Sequence, residues 1–241
     1  DSKNLVLMGG CALNCSANSI AYDYFDRVWI MPNPGDAGSA VGAVLAHKKQ
    51  HMKMDHAFLG YDIKGEYPVL QTVKELAETG ICGVASGKAE FGPRAFGNRS
   101  LLADPRGHDI KDRVNRIKRR QEFRPFAPSV LGEKASEYFK IEKDSPYMCS
   151  VYEVIEDKKY AIPAVVHIDG TARVQTVDKK MNEKFYNLIK KFGDLTGIPI
   201  ILNTSLNIDE PICENPDNAL EIFSKSSMDM LVLQNWVLEK K

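Results

Sequence analysis

The chain has 241 residues, of which 44% are hydrophobic, so it is long enough for one large or two modest domains with a buried core. Its 32 basic and 32 acidic residues cancel, and a formal net charge of zero does not indicate a general binder of nucleic acid or membrane surfaces. Five cysteines without a paired Cys-x-x-Cys pattern indicate free thiols, and no apolar run reaches the roughly 20 residues of a membrane helix. We therefore expect a soluble, cytoplasmic protein without nucleic-acid or membrane partners, in which any basic site is local.

The first part of the chain predicts two strand-and-helix units. The pattern predicts a strand at 5–8, a helix at 11–25 and a strand at 27–31. A helix of small residues follows in the second half of 32–43. Gly9 and Gly10 precede the first helix, where free backbone N–H groups suit a phosphate, although many such turns carry glycine without a ligand. Asp36 begins the second helix, and it is either an N-terminal cap or a metal ligand.

A polar stretch separates this part from the rest. Residues 48–65 lose the periodic pattern, which is typical of a linker, so we predict two domains, at residues 1–56 and 57–241. The second domain begins with a helix over residues 68–78, for which Gly80 is a suitable C-terminal cap.

A buried strand over residues 81–85 leads into a basic loop at residues 87–106. Three glycines let its backbone approach a ligand closely, and four cations are interleaved with them: Lys88, Arg94, Arg99 and Arg106. Arginine binds phosphate or carboxylate oxygens in pairs, so the loop suits a polyanion, and the alternative is a solvated basic loop. It lacks the Walker pattern, which argues against a P-loop ATPase.

The remaining elements alternate helix and strand. The pattern predicts a helix at 109–118, a basic and aromatic block at 118–128, strand and helix segments at 130–140 and 148–154, two strands joined by an Asp-Gly turn at 164–177, a helix at 182–192, a strand at 198–202, a helix at 217–224 and a strand at 230–236. Small polar residues, Asn203, Thr204 and Ser205, follow the strand at 198–202, and open α/β sheets bind ligands at such strand ends.

Several of these segments resemble one known family. The run Gly-Lys-Ala-Glu-Phe-Gly-Pro-Arg from Gly87 is similar to the signature of the carbamoyltransferases that make O-carbamoylated antibiotics and nodulation factors, and more distantly to threonylcarbamoyl-AMP synthases. Three further segments resemble family blocks: Glu-Phe-Arg-Pro-Phe-Ala-Pro from Glu122, which implies an anion-binding role for Arg124, His-Ile-Asp-Gly-Thr-Ala-Arg from His167, and Asn-Thr-Ser from Asn203. Leu206 and Asp209 depart from the usual Phe and Gly, which affects the edge of the expected pocket.

The resemblance implies a fold and a reaction. Residues 1–56 are expected to be the C-terminal part of an actin-like, ribonuclease-H-like ATPase domain, and residues 57–241 an α/β domain like the threonylcarbamoyl-AMP synthases. The second domain would convert carbamoyl phosphate and ATP to carbamoyl adenylate, and the first would move the carbamoyl group to a hydroxyl of a small-molecule acceptor. The chain is then expected to be a piece of a longer polypeptide that cannot complete the transfer alone.

The resemblance also implies a metal in the full first domain, iron or another divalent ion, with Mg²⁺ as a further option. Asp36 would be one ligand, together with two histidines of an earlier His-x-x-x-His helix that this sequence lacks. His47, His51 and His56 follow the aspartate, and we expect them at the surface.

The residues expected at the site fall into two groups. Catalytic roles go to Lys88, Arg94 and Arg124. Binding roles go to Gly9, Gly10, Asn14, Arg99, His167, Asp169, Thr171, Arg173, Asn203, Thr204 and Ser205.

Two alternatives stay open at this stage. One is a tRNA-modification enzyme that forms threonylcarbamoyl adenylate, and the other is a noncatalytic nucleotide-binding module. The sequence identifies neither the acceptor nor the oligomeric state, for which a homodimer is one arrangement to test.

Overall fold

The structure, a computed structural model, describes residues 2–240. Its N-terminal unit contains two short parallel strands and two helices: β1 (Asn4–Leu7), α1 (Cys15–Ala21), β2 (Arg27–Ile30) and α2 (Asp36–Lys48). The single helix expected at residues 11–25 is interrupted, because a 3₁₀ turn at Gly10–Leu13 ends at Asn14. The Asn14 side chain accepts a hydrogen bond from the Ala17 amide at 3.1 Å and caps α1.

The next segment contains a strand where the sequence predicted only a linker. This strand, β3 (Phe58–Ile63), is followed by α3 (Val69–Thr79), β4 (Ile81–Ala85) and β5 (Gly87–Glu90), and β3 pairs antiparallel with β5. Helix α3 ends at Gly80 with a φ of 86°, which confirms the predicted glycine cap. The boundary between residues 56 and 57 stays a prediction.

The rest of the chain supplies most of a large mixed sheet. Its elements are β6 (Arg99–Ala103), α4 (Ile110–Ile117), β7 (Ala127–Leu131), β8 (Tyr152–Glu153), β9 (Thr171–Ala172), β10 (Gln175–Val177), α5 (Glu183–Thr196), β11 (Ile200–Ser205), α6 (Pro216–Lys225), β12 (Met230–Leu233) and β13 (Trp236–Glu239). Seven strands pair in the order β10-β7-β11-β6-β4-β12-β13. The β10–β7 and β4–β12 pairs are parallel and the other four are antiparallel.

Both faces of this sheet are covered. Side chains of a strand alternate between faces, so Leu101 and Ala103 pack in one hydrophobic cluster with α4 and α6, whereas Leu102 packs in a second cluster with α3 and α5. Every residue of β4, β6 and β7 is buried. The predicted mixed α/β architecture is confirmed, whereas the actin-like assignment of residues 1–56 stays a prediction.

Two strand predictions were wrong, one in its pairing and one in its extent. Residues 164–177 do not form a hairpin, because β9 pairs with β8 and β10 pairs with β7. The strand predicted at 230–236 is two strands, since the chain turns at Gln234, whose φ is 56°, and β12 then pairs with β13. Within residues 2–240, no helix is long and apolar enough to cross a membrane.

Candidate anion-binding site

The loop that carries Arg94 connects β5 to β6, and one carboxylate shapes it. Glu90 Oε1 accepts hydrogen bonds from the backbone N–H groups of Phe96 at 2.7 Å and Asn98 at 2.8 Å. Burial raises the pKa of the Glu90 carboxyl, and these hydrogen bonds partly oppose that shift. Gly97, between the two donors, has a φ of 114°, which favours glycine.

Arg94 reaches from this loop to the N-terminal unit. Its Nη2 donates to the carbonyl oxygen of Leu13 at 3.0 Å and to Cys15 Sγ at 3.4 Å. Its Nε is buried, and no hydrogen-bond partner lies near it among the described residues. An arginine with a free buried donor is suited to an anion.

Arg173 lies beside Arg94. Burial, together with the positive charge of Arg94, lowers the pKa of the Arg173 guanidinium to about 10. The Nε of Arg173 is also buried with no partner in the part of the chain that the structure describes. The structure therefore brings together two cations that the sequence placed 79 residues apart.

The segment after α4 continues this positive region. Burial lowers the pKa of Arg120 to about 10, with a further contribution from the charge of Arg124. The Arg120 guanidinium lies 4.5 Å from the ring centroid of Phe126, and its charge also acts on Arg173. A cleft of about 560 Å³ opens here, and it is lined by Lys118, Arg119, Arg120, Gln121, Arg124, Ser205, Asn207, Ile208 and Asp209.

Lys118 is the least exposed cation of the cleft. Its Nζ donates to the carbonyl oxygens of Ser205 at 2.6 Å and Asn207 at 2.9 Å, and to Asn207 Oδ1 at 2.9 Å. Burial lowers its pKa to about 7, and the nearby Arg120 adds to the shift. Sequence reasoning missed Lys118, Arg120 and Asn207, although the basic run at 118–120 and the polar run after β11 contained the signal.

Within the described residues 2–240, Asp209 pairs with Arg119 at 3.9 Å and Glu210 acts on Lys118 through its charge, but neither forms an ion pair with the other cations of this positive region. Among residues 2–240, no ion pair within 4.0 Å includes any of the five cations Arg94, Lys118, Arg120, Arg124 and Arg173. Lys118 is buried, Arg94, Arg120 and Arg173 are half-buried, and Arg124 is exposed. Cations removed from water are normally paired, so this group is suited to a bound anion.

The predicted His-Asp-Gly-Thr-Ala-Arg turn contributes its histidine and arginine to this region. His167 Nδ1 lies 3.1 Å from Thr171 Oγ1, and the Asp169 carboxylate accepts from the Thr171 hydroxyl at 2.7 Å. Burial lowers the pKa of His167, Asp169 opposes the shift, and the charge of Arg173 adds to it. Thr171 and the exposed Asp169 thus shape the turn, and the neutral form of His167 is favoured.

Two predicted ligand contacts are structural instead. Arg99 is 0% exposed, and its guanidinium donates to backbone carbonyl oxygens of Tyr61, Ser86, Gly87, Asn98 and Glu214. Asn203 is also buried inside β11 rather than beyond its end, and its Nδ2 donates to Ser129 Oγ at 3.1 Å and Gln175 Oε1 at 2.9 Å. Neither residue is among those that line the cleft.

The other predicted site residues lie at the end of β11 and on β5. Thr204 is half-buried near the end of β11, and Ser205 lines the cleft. Lys88 is exposed on β5, opposite Asp62 of β3, and its catalytic role stays a prediction.

The glycine turn and Asp36 belong to the N-terminal unit. The Gly9 N–H already donates to the Pro34 carbonyl oxygen at 2.7 Å, and Asn14 is used as a helix cap. Asp36 is exposed at the start of α2. Within residues 2–240 no group of three or more His, Cys, Asp or Glu side chains could hold a metal ion, so the residues present do not fit a complete metal site.

The chain is similar to known proteins along most of its length. The family models described as Carbamoyltransferase N-terminus and Carbamoyltransferase C-terminus match residues 1–45 and 73–240. Nodulation protein NolNO of Sinorhizobium fredii is 36% identical over 272 residues, which cover 99% of this chain and 40% of the relative. Nodulation protein NolO of Bradyrhizobium diazoefficiens is 36% identical over 270 residues, which cover 98% of this chain and 49% of the relative. The chain thus spans less than half the length of these relatives.

Among solved structures, P. abyssi Sua5 complexed with L-threonine has a TM-score of 0.51 at 13% identity, over 73% of this chain and 50% of that one. At this identity the similarity concerns the fold alone. The family assignment instead comes from the C-terminal family model, which matches more than half of the chain. The resemblance predicted from the motifs is confirmed, and the chain belongs to the carbamoyltransferase family.

Proposed function

We propose that the described cleft binds ATP and carbamoyl phosphate and forms carbamoyl adenylate, as part of an O-carbamoyltransferase. The observation that carries this proposal is the group of five cations without an ion-paired carboxylate among the described residues, which runs from Arg94 and Arg173 to the cleft at Lys118, Arg120 and Arg124. Family membership supports carbamoyl transfer in general.

The chemistry asked of these residues is electrostatic. Water first hydrolyses carbamoyl phosphate to carbamate and inorganic phosphate. A carbamate oxygen then forms a bond to the α-phosphorus of ATP, the bond to the bridging oxygen of pyrophosphate breaks, and negative charge moves to the leaving pyrophosphate oxygens. Fixed guanidinium groups bind phosphate oxygens in pairs and stabilise that charge in a partly dehydrated cleft. No covalent enzyme intermediate is required, so the main tasks of Arg94, Arg124 and Arg173 are binding and orientation.

Transfer to an acceptor hydroxyl is proposed for the whole protein, since the chain covers less than half of its named relatives. The metal expected from the family is likewise proposed for the whole protein only. We therefore test the adenylate-forming half separately from the transfer.

Calorimetric titration of the 241-residue chain with ATP and with carbamoyl phosphate tests the proposal. We expect Arg94→Ala and Arg124→Ala each to weaken at least one ligand by about 10- to 100-fold, the value of a lost charge-assisted hydrogen bond. Arg27→Ala, on the exposed β2 position, is the matched control and should bind as the wild type does. Absence of binding by the wild type, or equal binding by all four proteins, would overturn the proposal.

Product identification separates the alternative reaction. Mass spectrometry should find carbamoyl adenylate after incubation with ATP and carbamoyl phosphate. Threonylcarbamoyl adenylate, formed only with threonine and bicarbonate, would assign the chain to the tRNA-modification type of enzyme instead.

A further inference from the structure

We propose that Glu90 is a positioning residue that holds Arg94 in its anion-binding orientation. The inference rests on the proposed function, because it assigns the support of an arginine that the function uses. Glu90 itself touches neither the cleft nor a ligand, and it acts through the backbone of the loop that carries Arg94.

The carboxylate binds the N–H side of this loop. One oxygen, Oε1, accepts from Phe96, Asn98 and, at 3.4 Å, Arg99, so a single atom fixes the backbone from two to five residues beyond Arg94. A charged acceptor makes shorter and stronger bonds to N–H groups than a neutral one.

The carbonyl side of the same loop is bound by two amides. The Ala95 carbonyl oxygen accepts from Asn203 Nδ2 at 3.2 Å, and the Phe96 carbonyl oxygen accepts from Gln175 Nε2 at 3.3 Å. The peptide units that follow Arg94 are therefore held from opposite sides, by Glu90 on one and by β11 and β10 on the other.

The cost of this arrangement indicates a role beyond loop closure. Glu90 Oε2 is buried, and within residues 2–240 it has no hydrogen-bond partner. Arg99 does not compensate it directly, since the Arg99 donors go to backbone carbonyl oxygens. A buried carboxylate satisfied by backbone alone is costly, and it is kept where the geometry of what it holds matters.

Arg94 depends on that geometry at both ends. Its guanidinium donates to Leu13 O at 3.0 Å, and its positive charge acts on Arg173. A change in the backbone conformation of the loop would move the guanidinium away from Leu13 O and break this arrangement.

A double-mutant cycle on the 241-residue chain tests the inference. The dissociation constants for ATP and for carbamoyl phosphate are measured for the wild type, Glu90→Ala, Arg94→Ala and the double variant. We expect each single variant to weaken binding by at least about 10-fold, and the double variant to be no more than about 2-fold weaker than Arg94→Ala, because both changes remove the same contact. Losses that simply multiply would assign Glu90 to the fold alone and overturn the inference.

Rescue by a conservative variant adds a second readout. Glu90→Gln keeps an acceptor oxygen at Oε1, so its affinity should return to within about 5-fold of the wild type. If Glu90→Ala does not fold, Glu90→Asp replaces it in the cycle, since it keeps the charge but shortens the side chain. The exposed Glu153, which pairs with Lys140, is the control, and Glu153→Ala should bind as the wild type does.

The two proposals fail separately. If neither Arg94→Ala nor Arg124→Ala changes either affinity, the proposed function is overturned. If Arg124→Ala weakens binding and Arg94→Ala does not, only the role of Glu90 is overturned. If Arg94→Ala weakens binding and the folded Glu90 variants do not, only the role of Glu90 is overturned.

Discussion

The Nη2 atom of Arg94 donates a hydrogen bond to the carbonyl oxygen of Leu13 at 3.0 Å, although 81 residues separate them in the chain. The basic loop after β5 thus meets the N-terminal unit at the turn before α1. Helix α1 in turn bonds to the segment at 148–151, through Cys15, Asn18 and Ser19. Arg94 therefore connects the two stretches of the chain that the N-terminal and C-terminal family models match.

Asn18 is expected to stabilise this junction. It is 3% exposed, and its Nδ2 donates to the carbonyl oxygens of Ala12 and Cys149, both at 2.8 Å. Asn18→Ala leaves both acceptors without their donor, and we expect a loss of about 1–3 kcal/mol in the free energy of unfolding in urea. Ser16→Ala, on an exposed position of the same helix, should lose far less, and equal losses would contradict this role.

Arg99 should matter for folding rather than for binding. Arg99→Lys removes the planar fork that serves five backbone carbonyl groups, and a lysine cannot reach them all. We expect a loss of at least about 3 kcal/mol, measured by urea unfolding, since each buried acceptor left unpaired costs about 1–3 kcal/mol. Arg124→Lys, at an exposed position, should unfold as the wild type does; similar stability of both variants would argue that Arg99 is not structural.

Gly97 should not accept a side chain. Its φ is 114°, and an added Cβ would lie 2.4 Å from ring atoms of Phe185, which is buried in α5. Gly97→Ala should therefore destabilise the protein by about 2 kcal/mol or more, as seen in thermal unfolding. Gly42→Ala in α2 has open space around it, and it should leave stability unchanged or raise it by about 0.5–1 kcal/mol.

Glu90 should give stability a distinctive dependence on pH. Because burial raises its pKa in the folded state above the ordinary 4.5, its contribution is present below about pH 4.5 and is lost as the pH rises through the folded pKa. Relative to Glu90→Gln, the wild type should lose stability in urea unfolding as the pH rises above about 4.5. Glu153, whose pKa is lowered by its hydrogen bond with Lys140, should show the opposite sign in the comparison with Glu153→Gln.

Elements with their own local signals could be predicted from the sequence. Strand β4 is a continuous apolar run, and α3 combines an apolar face with a terminal glycine, so both were found within about one residue. Strand β6 was missed because it begins with Arg99 and Ser100, which look like part of a binding loop. The burial of Arg99 depends on carbonyl groups contributed by residues as distant as Tyr61 and Glu214.

The candidate site could be predicted in part, because some of its residues stand in recognisable local motifs. Arg94, Arg124 and Arg173 stood in motifs that resemble a family, and the structure connects them through the charges that act between neighbouring guanidinium groups. Lys118 and Arg120 were passed over, because a basic run is often a solvated surface and nothing local shows that this one is buried. Which cations are free of carboxylates is a property of tertiary packing, and no spacing in the sequence reports it.

The low pKa of Lys118, about 7, means that this amine is protonated in only a fraction of the molecules at neutral pH. A phosphate bound in the cleft favours the ammonium form, so each binding event draws part of a proton from the solvent. The heat measured on binding will then include the ionisation heat of the buffer, and the same titration in phosphate-free buffers of low and high ionisation enthalpy will count the protons taken up.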